Sequence, residues 1–244
     1  MYIAWAITGG GTWIREIVDV MKVLKKEYGV KITVLFSKWG YEVARIYGVL
    51  REISRIASGE YYEEIFIEDK GMYYIGRLNR RKYKVLVIAP ATSNTIAKMV
   101  YGIADTLPTA AYAQALKSNI PVVILPTDIP NKDGYIVTRI PCYVDRSLCK
   151  YEVEKECMAM KHCPQHAILL YNEKPRILLE KCIGCGSCIQ ACKYNAIKCW
   201  EEIMIKPREI DLSNINKLKR ISNTFVVSNI EELLDTIKKL LEVR

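Results

Sequence analysis

Along the first 130 or so residues, short apolar blocks alternate with polar and glycine-rich breaks, and the apolar spacing switches between two periods. Residues 2–7, 30–36, 84–88 and 121–125 are nearly continuous apolar runs, too short for helices, and predict buried strands. A weaker run at 64–67 predicts a short fifth strand. Between them the apolar positions fall three and four apart. Ile14, Ile17, Val18, Met21 and Leu24 set the stripe of a helix over 14–28, and further helices are predicted over 41–50, 94–101 and 109–117. Strand and helix in alternation is the pattern of a parallel sheet with crossover helices. From about residue 141 the pattern breaks into short strand-like pieces such as 168–171 and 176–179. It returns near the end with a strand over 224–227. There Ser228, with Glu231 three residues on, predicts a capped helix. Ile230, Leu233, Leu234, Ile237, Leu240 and Leu241 form that helix's apolar face, which must pack on something. The simplest expectation is that it returns to the first domain and makes the middle region an insertion. The expected division is 1–140, 141–205 and 206–244.

Composition narrows the class. Half of the 244 residues are hydrophobic, yet no apolar run approaches the ~20 residues of a membrane span. The chain opens directly into a strand without a basic leader, so a cytoplasmic protein is expected. The net charge is +9. That is either a solvated lysine-rich surface or a docking face for acidic redox proteins and anionic ligands. Nucleic acid is disfavoured, because basic residues are spread along the chain and the one dense group, 77–84, sits just before a strand. Abundant Lys, Glu and Ile with little Gln lean towards a thermophile. All nine cysteines lie after residue 141. Clustered cytosolic cysteines bind metal more often than they form disulfide frameworks.

The cysteines carry the sharpest motif. Cys182, Cys185, Cys188 and Cys192 are spaced C-x2-C-x2-C-x3-C, the bacterial ferredoxin run. Thiolates two residues apart wrap a tight loop around one [4Fe–4S] cubane, and Gly184 and Gly186 let the backbone turn and aim N–H groups at sulfur. Zinc is the alternative, but it takes two C-x2-C pairs separated by a longer loop. An upstream half is present in altered form. Cys163-Pro164-Gln165-His166-Ala167-Ile168 is echoed by Cys192-Lys193-Tyr194-Asn195-Ala196-Ile197, with Cys149 and Cys157 preceding it at non-standard spacing. By the crossed ligation of such ferredoxins, Cys163 completes the cluster of Cys182, Cys185 and Cys188. A second cluster would use Cys192, Cys149 and Cys157, with Cys142 a further candidate. Alternatively, Cys142 and Cys149 are buried thiols acting as small hydrophobes. Cys199 reads as a core residue, and His162 and His166 as neighbours that at most tune the potential.

Small polar residues at strand ends carry the second signal. Ala91-Thr92-Ser93-Asn94-Thr95 follows a buried strand and opens a helix, where doubly wound sheets bind phosphates. Thr8-Gly9-Gly10-Gly11-Thr12 is a glycine turn after the first strand, and Ser37 ends the second. Each alone is an ordinary turn or cap. Together with Gly102-Ile103-Ala104-Asp105, the segment from Thr92 to Thr95 resembles the flavin segment of the homo-oligomeric flavin-containing cysteine decarboxylases and their relatives. The likeness covers roughly residues 1–130 and implies that these residues, Thr8 to Thr12 and Ser37 included, hold FMN. There are departures. No His precedes His162, and Pro126-Thr127-Asp128-Ile129-Pro130-Asn131 replaces the family's Pro-x-Met-Asn segment, so cysteine decarboxylation is not expected.

With the cysteine insert added, the chain resembles the archaeoflavoprotein group related to dihydromethanopterin reductase. The fold implied is α/β, a doubly wound, flavodoxin- or Rossmann-like parallel sheet with an inserted ferredoxin-like α+β domain. The chemistry implied is FMN with one or two [4Fe–4S] clusters. Electrons would pass from a ferredoxin-type donor to a pterin-like or other organic acceptor. The competing reading is an electron-transfer flavoprotein that serves a protein partner and takes no small substrate. The resemblance also implies an archaeal homo-oligomer with FMN at subunit contacts. No side chain stands out as the proton donor.

Overall fold

The computed structural model describes residues 1–241; the last three residues of the expected 206–244 segment lie outside them. In chain order the first part contains β1 (Tyr2–Ile7), α1 (Glu16–Tyr28), β2 (Lys31–Phe36), α2 (Lys38–Ile46), α3 (Leu50–Ile56), β3 (Ile65–Ile67), α4 (Glu68–Gly71), a 3-10 helix (Met72–Arg80), β4 (Val85–Ala91), α5 (Ser93–Val100), α6 (Leu107–Lys117) and β5 (Val122–Pro126). The middle part contains β6 (Ile136–Arg139), β7 (Tyr143–Val144), α7 (Tyr151–Glu154), α8 (Met158–Lys161), β8 (Ile168–Tyr171), β9 (Lys174–Ile177), α9 (Ser187–Ala191), β10 (Ile197–Lys198) and β11 (Glu202–Ile205). The chain ends with α10 (Glu209–Leu218), β12 (Thr224–Val226) and α11 (Ile230–Leu240).

Six strands form one parallel sheet in the order β3-β2-β1-β4-β5-β12. Relabelled by position this is the doubly wound order that reverses between its two central strands, so a crevice opens beyond the carboxyl ends of β1 and β4. The sheet is buried on both faces, which is why its strands read as unbroken apolar runs. One face carries Ile3, Trp5, Ile7, Val34, Val87 and Val123 against α1, α3 and α11. The other carries Ala4, Ala6, Leu86, Ile88 and Ile124 against α5, α6 and α10. Within β1, Ala4 and Ala6 face the second layer, with Tyr2 at its margin, and Ile3, Trp5 and Ile7 face the first. Trp5 is fully buried and its indole N–H donates to Ala89 O at 2.8 Å.

The last strand, β12, pairs with β5 across a long excursion of the chain, and α11 packs Leu233 and Ile237, both fully buried, into the first layer. The excursion leaves and returns through an antiparallel ribbon, β6 on β11, continued by β7 on β10. Beyond the ribbon, the β8–β9 hairpin and a third apolar cluster of Cys142, Cys163, Ala167, Ile168, Ile177, Cys188 and Ile197 form a small separate core. The two halves noted in the sequence repeat structurally. His166 and Asn195 both take left-handed backbone, at φ 46° and 53°, and each is followed by a buried Ala-Ile pair.

Several local expectations shift. The helix expected over 41–50 begins earlier, because Ser37 Oγ caps it by accepting from Gly40 N at 2.9 Å; it ends at Ile46, and α3 follows as a separate helix. The last helix is capped by Asn229, whose side chain accepts from Glu232 N at 2.8 Å, one residue later than the Ser228–Glu231 box. Asn229 has the extended backbone a cap requires; Ser228 instead donates to the Glu232 carboxylate at 2.6 Å. The second hairpin strand lies two residues before the expected 176–179.

Leu233→Ala empties a site at the junction of α11 with β5 and α1. The substitution is expected to lower unfolding free energy by about 2–5 kcal/mol, measured by urea denaturation. A loss below ~0.5 kcal/mol, the range of an ordinary surface change, would mean that α11 contributes no core packing.

Candidate cofactor sites

Three strand ends meet in the crevice between β1 and β4. Thr8, buried at the end of β1, donates its hydroxyl to Pro90 O at 2.7 Å and accepts from Thr92 N at 2.9 Å, which ties the first loop to the third. Thr92 caps α5 by accepting from Thr95 N. The glycines between are there for closeness. A Cβ on Gly9 would stand 2.8 Å from Trp39 Cβ, and one on Gly10 would run into the Thr127 methyl. Thr8 to Thr12 and Ala91 to Thr95 therefore line one cradle. Asn94 is its exposed member and Thr95 is buried. Ser37 sits beside them, its hydroxyl engaged as the cap of α2.

Two residues that the sequence reading did not select complete this cradle. Thr127 and Asp128 follow β5, and the Asp128 carboxylate accepts from Ser93 N at 3.1 Å and from the Thr127 hydroxyl at 2.8 Å. The first amide of α5, the natural place for an anion, is thus already engaged by the protein's own carboxylate. The N-terminus of α1 has no side-chain cap. A cavity of about 340 Å³ opens beside the cradle, lined by Thr12, Trp13, Glu16, Thr127, Tyr135 and Arg139 among others. Trp13 holds a φ of 66°, an unusual backbone for so large a side chain. Arg139 pairs with Glu16 at 2.7 Å and with Glu202 at 3.1 Å, while Glu16 Oε2 is buried without a partner among the described residues.

The thiols fall into two groups. Cys163, Cys182, Cys185 and Cys188 line one small cavity, together with Cys142; Cys149, Cys157 and Cys192 line another. The electrostatics follow the same partition. Burial, followed by the neighbouring thiols Cys182, Cys185 and Cys163, pushes the Cys188 thiol up to about 11. Burial raises the Cys157 thiol, with Cys149 and Cys192 adding to the effect. Backbone N–H groups point at sulfur, Ala167 N to Cys163 at 3.2 Å and Gly184 N to Cys182 at 3.4 Å. Among the described residues no three His, Cys, Asp or Glu side chains stand close enough to share a single metal ion. Zinc draws its thiolates onto one centre at about 2.3 Å, whereas an iron–sulfur cluster spreads them around a larger body. Four thiols lining a common cavity are the donor set a cubane takes. Its assembly must expel the protons that burial holds on Cys182 and Cys188.

Cys142 and Cys199 require a correction. They form a disulfide, with S–S 2.04 Å, so Cys142 is no longer a candidate ligand and Cys199 is not a plain core thiol. The pair is separated by 57 residues and brought together where the β6–β11 ribbon enters the small core. His162 and His166 are exposed, and His162 Nδ1 contacts Met158 O.

The cluster loop does not stand apart from the cradle. Arg45 of α2 donates to Leu179 O at 3.1 Å and to Cys182 O. Gly184, between two of the cysteines, lies backbone to backbone against Gly48 and Ile46 O, and both glycines take left-handed φ, 61° and 76°. Trp200 stacks under the Arg15 guanidinium at 3.8 Å, and Arg15 in turn donates to Tyr47 O at 3.0 Å. Burial, with the nearby Arg139 charge, lowers the Arg15 pKa.

A protein-family model described as Flavoprotein matches residues 1–130, more than half of the chain. The chain belongs to the flavoprotein family. A second model, a 4Fe-4S binding domain, matches residues 175–198 of the same flavoprotein. Two relatives named dihydromethanopterin reductase (acceptor) align along almost the whole flavoprotein. The one from Methanosarcina mazei is 36% identical, covering 96% of this chain and 97% of the relative. The one from Methanocaldococcus jannaschii is 41% identical, covering 96% and 95%. Among solved structures, Burkholderia xenovorans DmrB in complex with FMN, described as a cubic protein cage for redox transfer, superposes with a TM-score of 0.62 at 24% identity over 99% of this chain and 95% of that one. A phenylacrylic acid decarboxylase from Aquifex aeolicus gives 0.52 at 16%, covering 100% and 97%. The structural likenesses establish the fold; the sequence relatives and the two domain matches make the flavoprotein a flavin- and iron–sulfur-dependent reductase.

Arg45→Met removes the charged donor to the cluster loop. Unfolding free energy is expected to fall by about 1.5–3 kcal/mol, and iron release to a chelator at fixed concentration should quicken. An unchanged release rate would show that the loop is held without Arg45.

Proposed function

We propose that the protein accepts single electrons from a ferredoxin-type donor, passes them through iron–sulfur centres to FMN, and reduces a dihydropterin-like acceptor in the cavity beside Trp13. The observation that carries the reading is the seating of the Cys182–Cys185 loop on residues 46–48, which couples a cluster loop to the flavin cradle within one chain. The near full-length reductase relatives support the substrate class.

FMN, when bound, supplies two-electron chemistry, and each cluster supplies a one-electron step. The protein's own residues do the positioning. Thr8, Gly9, Gly10, Gly11 and Thr12 take the FMN phosphate on the uncapped end of α1, because Asp128 already engages the first amide of α5. Ala91, Thr92, Ser93, Asn94, Thr95 and Ser37 line the rest of the cofactor's path. Cys163, Cys182, Cys185 and Cys188 ligate one [4Fe–4S] cluster, and Cys149, Cys157 and Cys192 belong to a second centre. The division of the chain at 1–140, 141–205 and 206–244 follows from these roles.

Glu16 suits the acceptor. The pyrimidine edge of a pterin offers adjacent N–H donors, and a carboxylate is their natural partner. Glu16 lines the cavity with one oxygen unpaired and the other held by Arg139. The +9 charge of the chain suits an acidic protein donor. Trp39, 69% exposed beside the Gly9 loop, is a natural subunit contact in a homo-oligomer with FMN at its interfaces.

Adding a dihydropterin to the anaerobically reduced protein should restore the oxidised flavin absorbance. Inertness towards the pterin, combined with rapid oxidation by a redox protein, would turn the reading to an electron carrier. Glu16→Gln should weaken the acceptor about ten-fold or more, the cost of one hydrogen bond to a charged group, read as a raised KM. In solution the protein is expected to be a homo-oligomer; a monomer that retains one FMN per chain would sink the interface assignment.

A further inference from the structure

The second cysteine cavity contains three thiols, and the described residues offer no fourth. Cys149, Cys157 and Cys192 line it. The remaining cysteines are committed elsewhere: Cys163, Cys182, Cys185 and Cys188 line the first cavity, and Cys142 lines that same cavity while bonded to Cys199.

The backbone explains the missing position. In the first run, Cys182 and Cys188 are joined by a tight loop with Cys185 at its centre and left-handed glycines on either side of it. The corresponding stretch from Cys149 to Cys157 is two residues longer, has no central cysteine, and is occupied by the turn of helix α7, Tyr151–Glu154. The rim carboxylates that could bind a fourth iron stand in ion pairs. Of the two carboxylates on the cavity rim, Glu154 is held by Lys193 at 2.9 Å and Glu156 by Lys161 at 2.5 Å. A cubane has four irons, so three protein thiolates would leave its fourth iron to solvent. A three-iron cluster needs three, which this cavity supplies with none left over.

We propose that Cys149, Cys157 and Cys192 hold a three-iron cluster, [3Fe–4S], so that the insert carries two unlike centres. The proposal rests on the second centre assigned above.

The test is iron and acid-labile sulfide analysis of the full-length chain purified anaerobically, with EPR of the oxidised protein. Three ferric ions bring an odd number of d electrons, so an oxidised three-iron cluster carries net spin. An oxidised cubane, half ferric and half ferrous, pairs to zero. The expected result is ~7 irons per chain and an EPR signal from oxidised protein. A count of ~8 irons with a silent oxidised protein would overturn the three-iron assignment while leaving a second cluster in place. A count of ~4 would remove the second centre altogether. Cys142→Ser should leave both the iron count and the signal unchanged; loss of the signal would make Cys142 a ligand and overturn the proposal. Cys149→Ala should abolish the signal and keep the ~4 irons of the first cluster. Where that variant does not fold, the spectrum of the unaltered protein decides.

Discussion

The close approach of the Gly48 and Gly184 backbones is the contact on which the rest of the architecture depends. Neither position tolerates a side chain, since a Cβ on either would enter the other's main chain. Both also hold left-handed backbone, where glycine alone is unstrained. The contact brings a loop between two cluster cysteines onto the turn after α2, whose first residue follows the Ser37 cap. Arg45 reinforces it by donating to two carbonyls of the loop, and Trp200 lies under Arg15 alongside. A small core that buries few apolar groups is thereby seated on a large one.

The central fold was legible because a parallel sheet covered on both faces forces every strand residue to be apolar, and such runs stand out against helical spacing. The first two strands, β4 and β5 were therefore readable. The 3-10 helix Met72–Arg80 and the ribbon of β6 with β11 were not. β11 is exposed at every position and β6 fully buries only Ile136, so neither displays an alternation that periodicity can detect. The cap of α11 slipped by one residue because Ser228, Asn229, Glu231 and Glu232 offer two equivalent boxes. Only the extended backbone at Asn229 distinguishes them.

The sites were legible to different depths. Cysteines at fixed short spacings stand out in a sequence, and the structure gathers Cys182, Cys185 and Cys188 around one cavity and sends Cys192 to another. The Cys142–Cys199 disulfide does not stand out, because nothing local marks two residues that meet only through the pairing of a ribbon. The cradle residues showed themselves as small polar groups at strand ends. Thr127 and Asp128 did not, although they occupy the same end of the sheet. Read as a departure from a familiar segment, they are better understood through the hydrogen bond from Ser93 N to Asp128, which neutralises the α5 amide from within. A negative charge built into that corner discourages a second one there and leaves the glycine turn as the favourable place for phosphate.

The position of β12 has a consequence for how the chain acquires its shape. Roughly a hundred residues separate Pro126 from Thr224, its partner strand's neighbour at the sheet edge. Closing a loop of that length costs about 2 kcal/mol more than closing one of ten residues, a tolerable sum once the insert has its own core. The burden is temporal. As the polypeptide emerges from the ribosome, five strands are available to assemble long before the sixth exists, and the β5 edge stays open to stray pairing throughout. The whole insert must be synthesised before the edge can be sealed. The cysteine-bearing insert thus stands, in time as in sequence, between the first five strands of the sheet and its last.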